Sequence, residues 1–299
     1  MPADGAAAEL AGVFAPICTP FDAEEEIDLG ALRFNLSRYA ESGLHGYLAL
    51  GSNGENRSLT EEEKLRVLDQ VVRHRGDRQV VLAGATYDSE RQTERFLAAA
   101  ADLGADYGLV LAPGYFRAQM SDEVLYRYFC SLADTSRIPI LLYNAPAFSA
   151  VTLSPALVAR LAAHPNVVGM KDSAPSGIEN FLPLQGEAFQ VLAGSAGFLF
   201  PAMLGGAPGG TVALANAFPA IVLELFGCGR ARDSERGSSL HDRVRRMNEA
   251  ISGRYGVPGV KAAMNLAGFR GGIPRRPLLA LEGAEIEGLR RTLAAEGLL

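Results

Sequence analysis

The sequence predicts an α/β protein, a closed (β/α)8 TIM barrel with a C-terminal helical extension, on three observations. Short apolar runs alternate eight times with helical segments, the connections between them are short, and after about Gly227 the strand signal stops while helices continue. A chain of 299 residues suffices, because a barrel with its ring of helices takes about 250. The expected division is residues 1–226 for an N-terminal arm and the barrel, and residues 227–299 for a three-helix extension. A doubly wound open sheet is the alternative fold, but no Gly-x-Gly-x-x-Gly follows the first strand.

Each element has a local reason. Val13 to Ile17 reads as a strand, and Ile27-Asp28 supplies a staple and N-cap for a helix that Gly43 stops after Ser42. Gly46 to Leu50 is a second strand, followed by the loop Gly51-Ser52-Asn53-Gly54-Glu55; Thr60 and Glu63 then form a capping box, and Glu55 is read as a helix cap. Val80 to Ala83 and Tyr107 to Leu111 are strands flanking a helix from Ser89 to Leu103, ended by Gly104. A helix from Asp122 to Asp134 leads to the strand Ile138 to Tyr143. Ser154 as N-cap and Pro155 as first helical residue start a short helix ending before Pro165. The last strands are Val167 to Met170, Gln190 to Ala193 and Gly210 to Leu214, with a helix around Gly197 to Leu204. The extension reads as helices over Arg232 to Ser252, Val257 to Gly268 and Glu282 to Leu298.

Composition removes several function classes. A net charge of −6 with no basic stripe argues against a nucleic-acid partner. Three cysteines far apart and four histidines without ligand spacing predict no metal and no disulfide framework, and a reducing, cytoplasmic setting. Met1 to Gly12 lacks a positively charged start and reads as a short mobile arm, not a signal peptide. No charged residue lies between Glu187 and Glu224, but Pro201, Pro208 and Pro219 break any spanning helix, so no membrane partner is expected.

In such a barrel the functional groups stand just past the carboxyl ends of the strands. Those positions hold Ser52 and Asn53, Tyr115 with Phe116, Tyr143 with Asn144, Lys171, Gly194 with Ser195, and Asn216. The stretch Val167-Val168-Gly169-Met170-Lys171-Asp172-Ser173 would carry a lysine on a buried strand to the floor of the pocket. Burial disfavours any ammonium, and a neutral amine attacks a ketone. The alternative is a surface lysine in a salt bridge with Asp172 or another carboxylate. Tyr143 reads either as a core tyrosine or as a proton shuttle. A hydroxyl and amide loop, a phenol and an amine together are what imine chemistry requires.

These residues resemble the dihydrodipicolinate synthase and N-acetylneuraminate lyase superfamily, through Pro16-Ile17-Cys18-Thr19-Pro20-Phe21, Gly51 to Glu55, Tyr143-Asn144-Ala145-Pro146 and Gly169 to Ser173. Val191 to Phe198, Ala213-Leu214-Ala215-Asn216 and Gly256-Val257-Pro258-Gly259-Val260-Lys261 look closest to its 4-hydroxy-2-oxoglutarate aldolase branch. The resemblance implies Lys171 as the imine-forming residue, Tyr143 as the acid/base phenol, and Ser52 and Asn53 as carboxylate holder and proton relay. It implies Tyr115 reaching across a subunit contact in a homo-oligomer, a tetramer or dimer, with Ser173, Gly194 and Ser195 lining the mouth. The implied activity is cleavage or formation of a 4-hydroxy-2-oxo acid with pyruvate, without a cofactor. One departure bears on substrate: Phe148 stands where the synthases of the lysine pathway carry an arginine for aspartate semialdehyde, and a benzyl group offers no charge-assisted bonds. Ala150 replaces the usual glycine. The synthase reaction and a non-catalytic pyruvate-binding barrel are the two rival expectations.

Overall fold

The computed structural model describes residues 10–299. Eight parallel strands close on themselves in chain order: β1 (Val13–Pro16), β2 (Gly46–Ala49), β3 (Val80–Ala85), β4 (Tyr107–Leu111), β5 (Ile140–Asn144), β6 (Val167–Asp172), β7 (Gln190–Ala193) and β8 (Gly210–Thr211). The barrel expected from the alternation is therefore the fold. Between the strands run α1 (Leu29–Glu41), α2 (Glu61–Arg73), α3 (Glu90–Leu103), α4 (Asp122–Thr135), the short α5 (Pro146–Ser149), α6 (Pro155–Leu161) and α7 (Leu199–Leu204), and α8 (Pro219–Ala231) follows β8.

The helix starts follow from local chemistry. Asp28 accepts from the Ala31 amide at 2.8 Å, and Ser154 caps α6 with Pro155 behind it. Thr60 and Glu63 form the complete reciprocal box at α2, a device worth about 1 kcal/mol. Gly104 ends α3 in the left-handed conformation, as read from the sequence.

Two apolar layers follow from the strand period. Phe14, Leu48, Leu82, Leu109, Leu141, Val168 and Leu192 fill the barrel interior, while Val13, Val81, Val110, Leu142, Val167 and Met170 pack outward against the helices. Leu10 is fully buried in the interior layer, so residues 10–12 are not part of a mobile arm; the rest of the expected arm lies outside the described residues.

β8 is shorter than expected and gives way to a 3-10 turn over Ala213–Asn216. The Asn216 side-chain amide donates to the Pro16 carbonyl at 2.9 Å, and the Asn216 backbone carbonyl accepts from the Tyr39 hydroxyl at 2.6 Å. Asn216 thus closes the seam between β8 and β1 and does not join the polar ring at the mouth.

The expected boundary at 226/227 falls inside α8, which has apolar residues on most sides and gave no amphipathic period to read. The extension comprises α9 (Ser234–Asn248), a π turn over Glu249–Gly253, α10 (Arg254–Leu266) and α11 (Ala284–Ala295). Gly256, at φ 59° and ψ −141°, breaks α10 near its start, so regular helix begins at about the expected Val257. Among the described residues no helix is long and apolar enough to cross a membrane.

One irregularity decides the site. Between β5 and β6 the register runs Ile140 with Val167, then Leu141 with Gly169, so Val168 is an extra residue in β6. Val167 faces outward and Val168 inward; strict alternation from there would turn Lys171 outward. The bulge resets the count, so Met170 faces the helices and Lys171 faces the interior beside Tyr143. Gly169 makes this possible, because a Cβ there would stand 2.5 Å from the Gln190 carbonyl oxygen of β7. The expected consequence is that Gly169→Ala lowers unfolding free energy by about 1–3 kcal/mol, measured by urea denaturation; an unchanged midpoint would show that β7 yields without cost.

Candidate active site

β5 and β6 bring Tyr143 and Lys171 side by side as register partners at the carboxyl end of the barrel. The lysine is 5% exposed and its Nζ lies 4.6 Å from the centre of the Tyr143 ring. It makes no ion pair or hydrogen bond with any described residue. The expected alternative, a pair with Asp172, is excluded by strand parity: Asp172 turns outward, where its Oδ1 accepts from Asn144 Nδ2 at 2.7 Å and from the Ala174 amide at 3.4 Å. Adjacent residues on each strand thus serve opposite faces, Tyr143 and Lys171 inside, Asn144 and Asp172 outside.

Ser52 and Asn53 sit on a 3-10 turn, Ser52–Gly54, directly after β2. The Ser52 Oγ lies 3.4 Å from the Tyr143 hydroxyl. Both ends of the loop are held in left-handed backbone at non-glycine residues, Leu50 at φ 58° and Glu55 at φ 52°, a conformation that persists only when its surroundings enforce it. Asn56 Nδ2 anchors the first end on the carbonyls of Leu50 and Gly84, at 2.9 and 3.1 Å, and the Thr19 hydroxyl donates to the Gly54 carbonyl at 2.8 Å. Glu55 is not a helix cap: its carboxylate lies buried against Lys261.

The sequence profile of the Dihydrodipicolinate synthetase family matches residues 9–296. The chain belongs to this family. It is 33% identical to the 4-hydroxy-tetrahydrodipicolinate synthase of Methanoculleus marisnigri, with 96% of this chain and 99% of that one covered. It is 32% identical to the L-threo-3-deoxy-hexylosonate aldolase of Hypocrea jecorina, covering 95% and 96%. Among solved structures, the dihydrodipicolinate synthase from Acinetobacter baumannii complexed with pyruvate superposes with a TM-score of 0.91 at 29% identity, covering 97% of this chain and all of that one.

Ser173 Oγ is buried without a hydrogen-bond partner among the described residues, and the Ser173 amide donates to the Asn144 carbonyl at 2.8 Å. Gly194 is obligatory beside it, since a Cβ there would lie 2.0 Å from Ser173 Oγ. Ser195 Oγ accepts from the Gly197 amide at 3.1 Å and from Asn248 Nδ2 at 3.4 Å. Asn248, at the end of α9, was not singled out by the sequence; its contact with Ser195 spans a separation no local pattern signals.

Phe148 lies on α5 and is 61% exposed, with Ala150, which replaces the usual glycine, just beyond it at φ 54°. Tyr115 is 80% exposed, edge-on to Phe116 at 4.9 Å, and its backbone amide is fixed by Asp88 at 3.0 Å. Within one chain its phenol bonds to neither Ser52 nor Tyr143. The structure therefore groups Lys171, Tyr143 and Ser52, places Asn53, Ser173, Gly194 and Ser195 on the loops beside them, and leaves Tyr115 and Phe148 projecting outward.

Burial pushes the Asp172 carboxyl up to about 6 from its ordinary 3.8, only partly offset by the Asn144 hydrogen bond. The folded state binds the proton more tightly than the unfolded one, so the stability linked to protonation is complete below about 3.8 and is lost as pH rises through about 6. Asp172→Asn carries no such loss. Its unfolding free energy, relative to that of the parent protein, is expected to rise by about 1–3 kcal/mol between pH 4 and pH 7; parallel pH profiles would contradict the assignment.

Proposed function

We propose that this protein is a cofactor-independent class I aldolase that forms a Schiff base between Lys171 and a 2-oxo acid. The favoured reaction is cleavage of a 4-hydroxy-2-oxo acid to pyruvate and an aldehyde, or the reverse condensation, with 4-hydroxy-2-oxoglutarate or a 2-keto-3-deoxy sugar acid as substrate. The observation that carries this reading is the buried amine set against the Tyr143 ring, with Ser52 Oγ 3.4 Å from the phenol oxygen.

Lys171 Nζ attacks C2 of the substrate, and loss of water leaves a protonated imine that draws electrons from the C3–C4 bond. Tyr143 takes the C4 hydroxyl proton while passing its own toward Ser52, the C3–C4 bond breaks, and the aldehyde departs. The proton taken from the C4 hydroxyl returns through the same Tyr143 and Ser52 relay to C3 of the remaining enamine, and water then releases pyruvate and the free amine. Ser52 and Asn53 hold the carboxylate so that the ketone faces the lysine, an orientation worth several kcal/mol, on the order of 7 or more in well-aligned cases. Ser173, Gly194 and Ser195 receive the distal hydroxylated part of the substrate.

Phe148 ranks the aldolase above the synthase reaction, because an exposed benzyl group cannot pair with the carboxylate of aspartate semialdehyde. The synthase reading keeps support from the identity to the Methanoculleus marisnigri relative. Tyr115 and Phe116, edge-on to each other, and Phe148 are exposed aromatics that suit self-association into a dimer or tetramer, through which Tyr115 would reach a neighbouring site.

Pyruvate release from a panel of 2-oxo acids tests the reading. Release from 4-hydroxy-2-oxoglutarate or a deoxy sugar acid is expected, with borohydride and pyruvate adding mass to Lys171. Turnover of aspartate semialdehyde alone would favour the synthase, and a trapped adduct without any aldehyde release would favour a binding module. Tyr143→Phe is expected to lower kcat by about 100-fold or more while imine trapping persists; equal loss of both would make the phenol a structural group.

A further inference from the structure

Lys261 comes from α10 of the extension and is 1% exposed, among the most enclosed long side chains of the molecule. Its ammonium donates to the Ile273 carbonyl at 2.7 Å and stands 2.5 Å from Glu55 Oε1, with the Phe21 ring 4.4 Å away. Glu55 Oε2 accepts from the Arg275 amide at 2.8 Å. Arg275 in turn grips Glu63 of α2 through two bonds of 2.8 and 2.9 Å, and its guanidinium covers the same Phe21 ring at 4.3 Å. The extension therefore reaches both oxygens of one carboxylate, and that carboxylate belongs to the residue closing the Ser52–Gly54 turn.

The position of Glu55 gives the contact its meaning. Its amide donates to the Ser52 carbonyl at 3.1 Å, and its backbone is left-handed at φ 52° and ψ 39°. A non-glycine residue returns to a commoner backbone region unless something holds it. No other described side chain pairs with this carboxylate, so Lys261 and the Arg275 amide are what hold it. Burial draws the Lys261 pKa down and the facing carboxylate draws it back up, as in a pair whose charges depend on each other.

We propose that Lys261 is a positioning residue: acting through Glu55, it fixes the turn that carries Ser52 and Asn53 against the Tyr143 phenol. The C-terminal extension is then part of the catalytic architecture although none of its residues touches the reacting atoms. The kinetic half of this inference rests on the aldolase reading above, while its structural half does not.

Two variants test it, Glu55→Gln, which keeps the shape and removes one charge, and Glu55→Gln/Lys261→Met, which removes both and leaves no unpaired buried charge. Three readouts are taken on the full chain: hydrogen–deuterium exchange, thermal unfolding, and kinetics of pyruvate release. Exchange over residues 51–58 is expected to accelerate by about 10-fold or more in both variants while residues 107–111 and 140–144 stay within about 2-fold. The specificity constant kcat/KM is expected to fall by about 10- to 100-fold, and to stay low in the double variant even where its Tm returns to the parent value. Exchange that is unchanged or raised throughout, kcat/KM that recovers with Tm, or failure of both variants to fold would each overturn the proposal. If the parent protein releases pyruvate from no 2-oxo acid, the aldolase reading fails, and the exchange experiment still decides whether Lys261 holds the turn.

Discussion

A one-residue shift in register between β5 and β6 governs which way the buried amine of Lys171 points, and the chemistry proposed for the site depends on that direction. Side chains alternate along a strand, so the face a residue occupies is set by counting from the last position whose packing is fixed. Val167 packs outward against the helices and Val168 inward. Because β6 spends an extra residue at that point, Gly169 shares the level of Leu141, and Lys171 shares the level of Tyr143. A bulge that re-aims a side chain is a recurrent device near functional sites.

The outward faces of the same strands supply the support. Asn144 and Asp172, each one step past an inward residue, bond to each other behind the site and tie the two strand ends together. Asp172 Oδ2 is left without a partner among the described residues, so the junction holds a carboxyl group whose charge is disfavoured. Across the barrel mouth, the loop after β2 is held at one end by Asn56 and at the other by the Glu55 to Lys261 pair. Truncating one partner of such a buried pair leaves an uncompensated charge and costs about 3–5 kcal/mol. The site therefore stands on rigid strands on one side and on a loop held from outside the barrel on the other.

What the sequence disclosed and what it withheld divide along a physical line. Helix caps at Asp28, Thr60 with Glu63, and Ser154 were legible because a cap bonds within three residues, and the barrel was legible because alternation repeats eight times. Ala150 was marked only as standing where the resemblance implies glycine, and its positive φ was not read from the sequence. α8 was hidden by a composition apolar on most sides, and β8 was overextended because Val212 to Leu214 is apolar whether it pairs or turns. The inward orientation of Lys171 was anticipated from its place at the end of a buried apolar run and from the resemblance, but the bulge that produces it was not, since the strand period by itself turns the residue outward. Glu55 was read locally as a cap, whereas its partner Lys261 lies far along the chain and only the closed fold brings them together. Asn216 looked like a member of the polar ring and instead closes the seam between the first and last strands.

A crystal structure of the protein soaked with pyruvate is the most direct measurement of the central claim, that register in β6 presents an inward amine to a 2-oxo acid. The account predicts continuous density from Lys171 Nζ to C2 of the ligand, with the carboxylate on the Ser52 and Asn53 turn and the Tyr143 hydroxyl facing the new bond. Pyruvate bound elsewhere, or Lys171 directed between the strands and the helices with no link to the ligand, would contradict it.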